Sequence, residues 1–308
     1  MSGSLEVGTA ACAKGDYVTA LRHFRPLAAA GNATAQYSIG RMYVLGQGVP
    51  QDYDEAMKWL RLAADQGYAQ AQCSVGILYD GGHGVEQDFD EALAWYRLAA
   101  DQGYSNAQYN IGLMYDEDHH GQIDYIEALK WYRRAADQGN AEASFSVGIL
   151  FAEGHGVPQD LAEAAKWFCL AAQQGKVDAQ YYLGCNYANG TGVLQDYTEA
   201  AKWFHLAADQ GHAGAQLSLG YLYRDGLGLP NDDIEAARWF RLAADQGNAA
   251  AQCSLGVMYN DGKGVPQDFG EAAKLFRLSA DQGNVDAQYN LDNMRIVPVS
   301  AVHWLFRE

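Results

Sequence analysis

Seven carboxylate pairs stand three residues apart along this chain: Asp52/Glu55, Asp88/Glu91, Asp124/Glu127, Asp160/Glu163, Asp196/Glu199, Asp232/Glu235 and Asp268/Glu271. Paired carboxylates are the equipment of general acid–base chemistry, one to give a proton and one to take it. Seven copies of one pair are too many for a single active site. Each pair precedes an apolar run of helical spacing, which is the signature of a capping box. There the Asp side chain accepts from an orphan backbone N–H and the Glu reaches back to the cap. The pairs read as helix starts.

A second candidate for chemistry is the stretch DEDHHGQID at residues 116–124. Oxygen and imidazole donors crowd together at Asp116, Glu117, Asp118, His119 and His120, so a divalent cation is the ligand this loop would take. The competing expectation is a drifted surface loop with an altered turn. Equivalent stretches read DGGHGVEQD and AEGHGVPQD, and both of their glycines are here Asp118 and His120, with Gly121 one position late. His83, His119 and His155 share a column, but helix layers sit about 8–10 Å apart. Metal–imidazole bonds are about 2.0–2.1 Å, so a common metal is not expected. Cys12, Cys73, Cys169, Cys185 and Cys253 follow no paired spacing, which gives neither a disulfide framework nor a zinc pattern and favours a reducing, cytoplasmic setting over a periplasmic or secreted one reached through a removed leader. No G-x-S-x-G, H-E-x-x-H or phosphate-loop signature is present, and no cofactor is expected.

What positions these residues is a repeat. Gly31, Gly67, Gly103, Gly139, Gly175, Gly211, Gly247 and Gly283 are spaced 36 apart. Trp59, Trp95, Trp131, Trp167, Trp203 and Trp239 keep step, with Leu275 in the seventh place. Such a period belongs to stacked supersecondary units sharing one continuous core. It predicts one elongated all-α solenoid without a linker between residues 1 and 295.

Within residues 32–67, Ala35, Ile39, Met42 and Tyr43 have helical spacing and mark a first helix. GQGVPQ then interrupts it as a loop. A second helix opens at Asp52, carries Ala56, Trp59, Leu60 and Ala63 on one face, and stops at Gly67. Gly40 and its equivalents Gly76, Gly112, Gly148, Gly184, Gly220 and Gly256 lie inside the first helix. A mid-helix glycine costs about 1 kcal/mol against alanine. Close approach of the alanine-lined second helix (Ala56, Ala63, Ala64) is the expected gain. The aromatic column from Tyr43 to Tyr259 is expected to fill the layer between units.

The pattern A-x-x-x-L-G-x-x-Y-x-x-G-x-G-V-x-Q-D-x-x-E-A-x-x-W-x-x-x-A-A-x-x-G runs through seven copies and resembles the Sel-one-like repeat, a relative of the tetratricopeptide repeat with a longer loop. The resemblance implies a right-handed α-solenoid of antiparallel helix pairs, a tetratricopeptide-like superhelix. It divides the chain into a degenerate capping pair at 1–31, seven repeats at 32–283, and a capping helix with an apolar tail at 284–308. In the first of these Asp16 caps a helix, with Thr19 where Glu would stand. In the last, Asp292 takes the glycine position and Arg295 the aromatic one.

Three rows on the first helices vary between units, and the resemblance implies that they line a concave groove for peptides or partner helices. Tyrosine and arginine suit recognition because they give large contacts with a polar tip. Tyr37, Arg41, Tyr109, Leu113, Tyr181, Tyr221 and Arg224 are the candidate partner-binding residues, although packing onto the next repeat would equally use such side chains. The tail IVPVSAVHWLFRE, with Trp304 and Phe306, is expected to cover the last helix pair, or else to dock into another molecule as a partner anchor or in self-association.

The formal net charge of −17 argues against nucleic acid and anionic membranes and suits a basic partner. No apolar run is long enough to span a bilayer, and MSGSLEVGTA lacks the features of a secretory signal. The expected function is a non-enzymatic scaffold or adaptor for a protein or peptide. Divalent-cation-dependent binding through residues 116–120 is one alternative. The resemblance also extends to cysteine-rich relatives with β-lactam-binding or hydrolysing activity, but this chain lacks their paired cysteines.

Overall fold

A computed structural model describes residues 2–117 and 123–294. The chain is all-α: seventeen helices and no strand occur among the described residues. By its internal contacts it divides into two units, residues 1–159 and 160–308. The first contains α1 (Ser2–Ala13), α2 (Tyr17–Ala29), α3 (Ala33–Leu45), α4 (Tyr53–Ala64), α5 (Ala69–Gly81), α6 (Phe89–Asp101), α7 (Ser105–Asp116), α8 (Tyr125–Ala136) and α9 (Ala141–Glu153). The second contains α10 (Leu161–Gln173), α11 (Val177–Asn189), α12 (Tyr197–Asp209), α13 (Ala213–Asp225), α14 (Asp233–Asp245), α15 (Ala249–Asp261), α16 (Phe269–Ala280) and α17 (Val285–Asn293). Inside each unit every helix packs on the next in sequence, as stacked helix hairpins do.

All seven predicted Asp caps form. The Asp52 carboxylate accepts from the Glu55 N–H at 3.0 Å, and the same bond recurs at Asp88, Asp124, Asp160, Asp196, Asp232 and Asp268. The reciprocal half of the capping box does not. The Asp52 N–H donates across the loop to the Tyr43 carbonyl at 3.1 Å, and Asp88, Asp124, Asp196, Asp232 and Asp268 do the same with Tyr79, Tyr115, Tyr187, Tyr223 and Tyr259. With that donor satisfied, Glu55, Glu127, Glu163, Glu199, Glu235 and Glu271 turn instead to a cation three residues on, at 2.5–3.1 Å.

The mid-helix glycines meet a different neighbour from the alanines expected above. A Cβ on Gly76, Gly112, Gly184, Gly220 or Gly256 would fall 2.4–2.7 Å from the ring of Tyr96, Tyr132, Phe204, Phe240 or Phe276, and on Gly40 2.6 Å from Leu60. These side chains follow the tryptophan column by one residue and are essentially solvent-free. Burying such a side chain contributes roughly 1.5–3 kcal/mol, which exceeds the ~1 kcal/mol cost of a helical glycine. Burial wins. In the N-terminal pair the loop is four residues shorter, and the glycine moves with it: Gly8 faces Phe24 at 2.5 Å.

Alanines and tryptophans then complete each layer. Ala56, Leu60, Ala63 and Ala64 of α4 form one buried cluster with Ala71, Val75 and Leu78 of α5 and Trp95 of α6. Trp239 and Leu275 likewise reach back into the preceding layer. Tyr43, Tyr79, Tyr223 and Tyr259 each touch two successive clusters, as expected for a residue between units. The second loop glycine lets the loop lie on the preceding hairpin: a Cβ on Gly84 (φ +69°) would meet the Tyr53 carbonyl carbon at 2.7 Å.

A buried glutamine ladder is the feature the pattern did not announce. The Gln36 amide donates to the Ala28 carbonyl at the end of the preceding second helix, and its oxygen accepts from Gln66 at 2.6 Å. Gln72/Gln102, Gln108/Gln138, Gln180/Gln210, Gln216/Gln246 and Gln252/Gln282 repeat the arrangement at 2.6–2.9 Å. Ser144 occupies this column in the fourth repeat and bonds the Asn140 carbonyl instead.

The glycine contact makes a sign-reversing prediction. Gly220→Ala should lower the urea midpoint, because overpacking against Phe240 costs about 1–3 kcal/mol while helix propensity returns only about 1. In a Phe240→Ala background the same change should raise the midpoint. Equal signs in the two backgrounds would mean that the ring is not the reason for the glycine.

Candidate functional site

Tyr37 and Arg41 lie one turn apart on α3, with the guanidinium 5.8 Å from the ring centre. Together with Cys12, Tyr17 and Phe24 they line a groove of about 450 Å³ in the N-terminal unit. Tyr221 and Arg224 form the matching pair on α13, at 4.8 Å. They line a groove of about 580 Å³ across α13, α15 and α17 in the C-terminal unit. Four of the seven residues expected to meet a partner thus come together in two grooves, each with an arginine over a tyrosine. Such a pair is a cation–π contact that presents a flat, amphipathic surface.

Tyr109, Leu113 and Tyr181 are half-buried. Tyr109 packs on Tyr132 with ring centres 5.6 Å apart. Tyr181 stacks on His212 at 4.4 Å and lies 6.0 Å from Phe204. Burial raises the Tyr181 hydroxyl to a pKa of about 12. These rings join neighbouring helices within their unit. Tyr37 and Tyr221 do the same, each at 5.2 Å, from Tyr68 and Phe240 respectively.

Asp116 accepts a 2.9 Å hydrogen bond from the Tyr132 hydroxyl, as Asp80 does from Tyr96 at 3.1 Å. Burial raises its pKa. Asp118, His119 and His120 lie outside the described residues, as do Trp304 and Phe306 in the tail. Among the described residues no cluster of three or more His, Cys, Asp or Glu side chains could hold a metal. The altered turn is visible at the edge of this loop: α7 ends in an extended Glu117, where α3 and α5 end in left-handed Gly46 and Gly82. His83 and His155 stack on Tyr53 and Tyr125 of the preceding hairpin at 4.8 and 4.4 Å. The five cysteines are unbridged, and burial raises the Cys73 thiol to about 12, far from a reactive thiolate.

A surface missed by the sequence reading lies on the second helices. Leu62, Leu98, Leu206, Leu242 and Leu278 occupy one column, each between 39 and 52% exposed. Their 36-residue recurrence outside the buried stripe was the available signal.

The geometry can be set beside known proteins. The family model for the Sel1 repeat matches residues 33–68, 69–104, 105–140, 141–176, 177–212, 213–248 and 249–284. The chain belongs to the Sel1-repeat family. Sel1-repeat proteins generally mediate protein–protein interaction. The chain is similar to c5321, a protective antigen present in uropathogenic Escherichia coli strains, with a TM-score of 0.83 and 35% identity over 100% of this chain and 65% of that one. It therefore spans less than two thirds of that protein. A Sel1 repeat protein from Oxalobacter formigenes matches with a TM-score of 0.70 and 37% identity, over 90% of this chain and 81% of that one. No curated protein matches. No helix among the described residues of this Sel1-repeat chain is long and apolar enough to cross a membrane.

His212 caps α13 through a ring nitrogen that accepts from the Ala215 N–H at 3.0 Å, which requires the neutral ring. Burial holds its pKa below 6.5, outweighing the upward pull of Asp178, whose carboxylate is 3.9 Å away. The unfolded chain therefore takes up the proton first, and stability falls as pH drops below about 6.5 toward the folded-state pKa. His212→Asn keeps an acceptor, as Asn32, Asn140 and Asn248 do in other repeats. Thermal melts from pH 7.5 to 5 should show a shallower decline for that variant, with His205, also depressed by burial, supplying part of the remaining slope. Identical slopes would exclude His212 as a source.

Proposed function

We propose that this Sel1-repeat chain is a non-enzymatic scaffold that holds a partner protein or peptide along its first helices. The observation that carries the reading is the pair of grooves built by Tyr37/Arg41 and Tyr221/Arg224 from the variable first-helix rows. The invariant columns are committed to packing: glycine to the ring, alanine to the layer, Asp to the cap. The variable rows are free of that duty at their exposed positions, and Arg41, Ile77 and Val257 offer side chains there. Family membership supports protein interaction in general. The Asp side chains of the seven Asp/Glu pairs serve as helix caps, and burial raises all five thiols above their ordinary range.

The competing surface is the leucine column on the second helices, and site-specific photo-crosslinking separates the two. A photoreactive phenylalanine analogue would replace Arg41, Ile77, Leu113 or Val257 in one set and Leu62, Leu98, Leu206 or Leu242 in another. Adducts to one partner in native lysate should come from the first set. Adducts confined to the second set, or none from either, would overturn the proposal.

A further inference from the structure

The C-terminal groove differs from every other repeat in one column. The residue that opens the second helix is Tyr53, Phe89, Tyr125, Leu161, Tyr197 and Phe269 elsewhere, but Asp233 in the sixth repeat. Where Tyr53 stacks on His83 of the next loop, the corresponding pair here is Asp233 and Lys263. The Lys263 ammonium lies 3.9 Å from Asp261. A short carboxylate stands where a ring would fill space, and it lines the 580 Å³ groove.

The charges around this groove are unequally spent. Arg224 is held by Asp225 through two hydrogen bonds at 2.7 and 2.8 Å, and Lys263 is turned to Asp261. Both cations are thereby paired. Arg224 also acts electrostatically on Asp233, but Asp233 and Asp286 make no close ion pair among the described residues, and both line the same groove. Ala250, Cys253, Val257 and Met258 give part of the lining an apolar character, beside the polar Ser254 and Asn290. An occupant complementary to this arrangement has cations toward the carboxylates and small apolar side chains toward the apolar part of the lining. In an extended strand, alternate residues point to opposite faces, so a segment alternating basic and apolar residues meets both demands.

We infer that the groove across α13, α15 and α17 docks an extended, basic segment of a partner protein, with Asp233 and Asp286 receiving its cationic side chains. The inference rests on the first-helix reading above and names the partner's chemistry at one place on that surface. Asp286 is exposed and Asp233 half-buried, so their contribution is to selectivity and encounter, and it weakens with salt.

The probe is a fluorescein-labelled peptide of about nine residues alternating lysine and valine, long enough at 3.3 Å per residue to cross three helices roughly 10 Å apart. Fluorescence anisotropy with the full chain should show saturable, salt-sensitive binding, and a glutamate–valine peptide should not bind. Asp233→Asn/Asp286→Asn should weaken binding by roughly tenfold, the order expected for losing two such charges. Asp54→Asn/Asp90→Asn removes two first-turn carboxylates elsewhere and should leave it unchanged, with circular dichroism confirming that both variants keep their helices. Equal weakening by the two double variants, or no saturable binding, would overturn the proposal. So would displacement of the probe by an unlabelled peptide of residues 295–308, which would make the chain's own end the occupant. Crosslinks from the first helices with no effect of the Asp233/Asp286 change would remove this groove and leave the scaffold reading standing.

Discussion

Six hairpins of this chain are set by an aromatic ring pressed onto a glycine, and in the hairpin of α3 and α4 Leu60 takes the ring's place against Gly40. Phe240 on Gly220, Tyr132 on Gly112 and their equivalents leave no room for a Cβ, so the two helices approach to a distance fixed by the ring's thickness. The rest of the layer follows from that distance. Small alanines line the approach, because anything larger would force the helices apart. The tryptophan one residue before the ring then faces the preceding layer, and the tyrosine of the first helix spans two layers. Since repeats stack on nearest neighbours, one contact of this kind per hairpin propagates through a unit.

Apolar contact alone would leave the register of neighbouring hairpins loosely defined, since it has no direction. The glutamine ladder supplies direction. Gln72, buried, donates to the Ala64 carbonyl of one second helix and accepts from Gln102 of the next, so it ties three helices with one side chain. An unmade bond at such a buried amide would cost about 1–3 kcal/mol, more than the roughly 1 kcal/mol gained by each bond made. Misregistered stacking is penalised accordingly. Among the described residues one buried side-chain polar group escapes this satisfaction: the Trp239 indole N–H has no partner. In the fourth repeat the equivalent Trp167 donates to Glu163, which also holds Lys166. In the sixth, Glu235 holds Arg238, whose guanidinium sits 5.3 Å from the Trp239 ring.

The period, loops, caps and buried stripes were all legible because each recurs at a fixed position and has one physical explanation. The partner of the mid-helix glycine was not. Spacing shows which residues share a stripe on one helix, but not which residue of the opposing helix meets them, and alanine was chosen where a ring stands. The reciprocal Glu of the capping box failed for a similar reason: its donor had already been taken by a carbonyl across the loop, a contact without a sequence signal. The glutamines were in plain view in AQ and DQG, but a polar residue recurring in an exposed-looking helix end reads as surface until two of them are seen to meet. For the candidate site the rows were legible and their division was not. All four tyrosines Tyr37, Tyr109, Tyr181 and Tyr221 pack on a neighbouring ring, and Tyr37 and Tyr221 also line grooves, an outcome that depends on the neighbours each ring meets.

Repetition also explains where singular chemistry can reside in such a chain. A column that serves packing in every hairpin cannot change without loss of the layer, so Gly220, Ala236 and Phe240 carry no information about a partner. A column that serves packing in most hairpins and departs in one is different, because the departure must be tolerated by stability and leaves a local change in shape and charge. Asp233 is such a departure. Its neighbours Tyr197 and Phe269 in adjacent repeats show what the fold uses there by default, and replacing a ring by a carboxylate removes apolar contact while adding a charge to the groove. Stability alone does not favour that exchange. An occupant that restores both the contact and the charge does, which is why the deviation from the repeat, rather than the repeat itself, points to the docking surface.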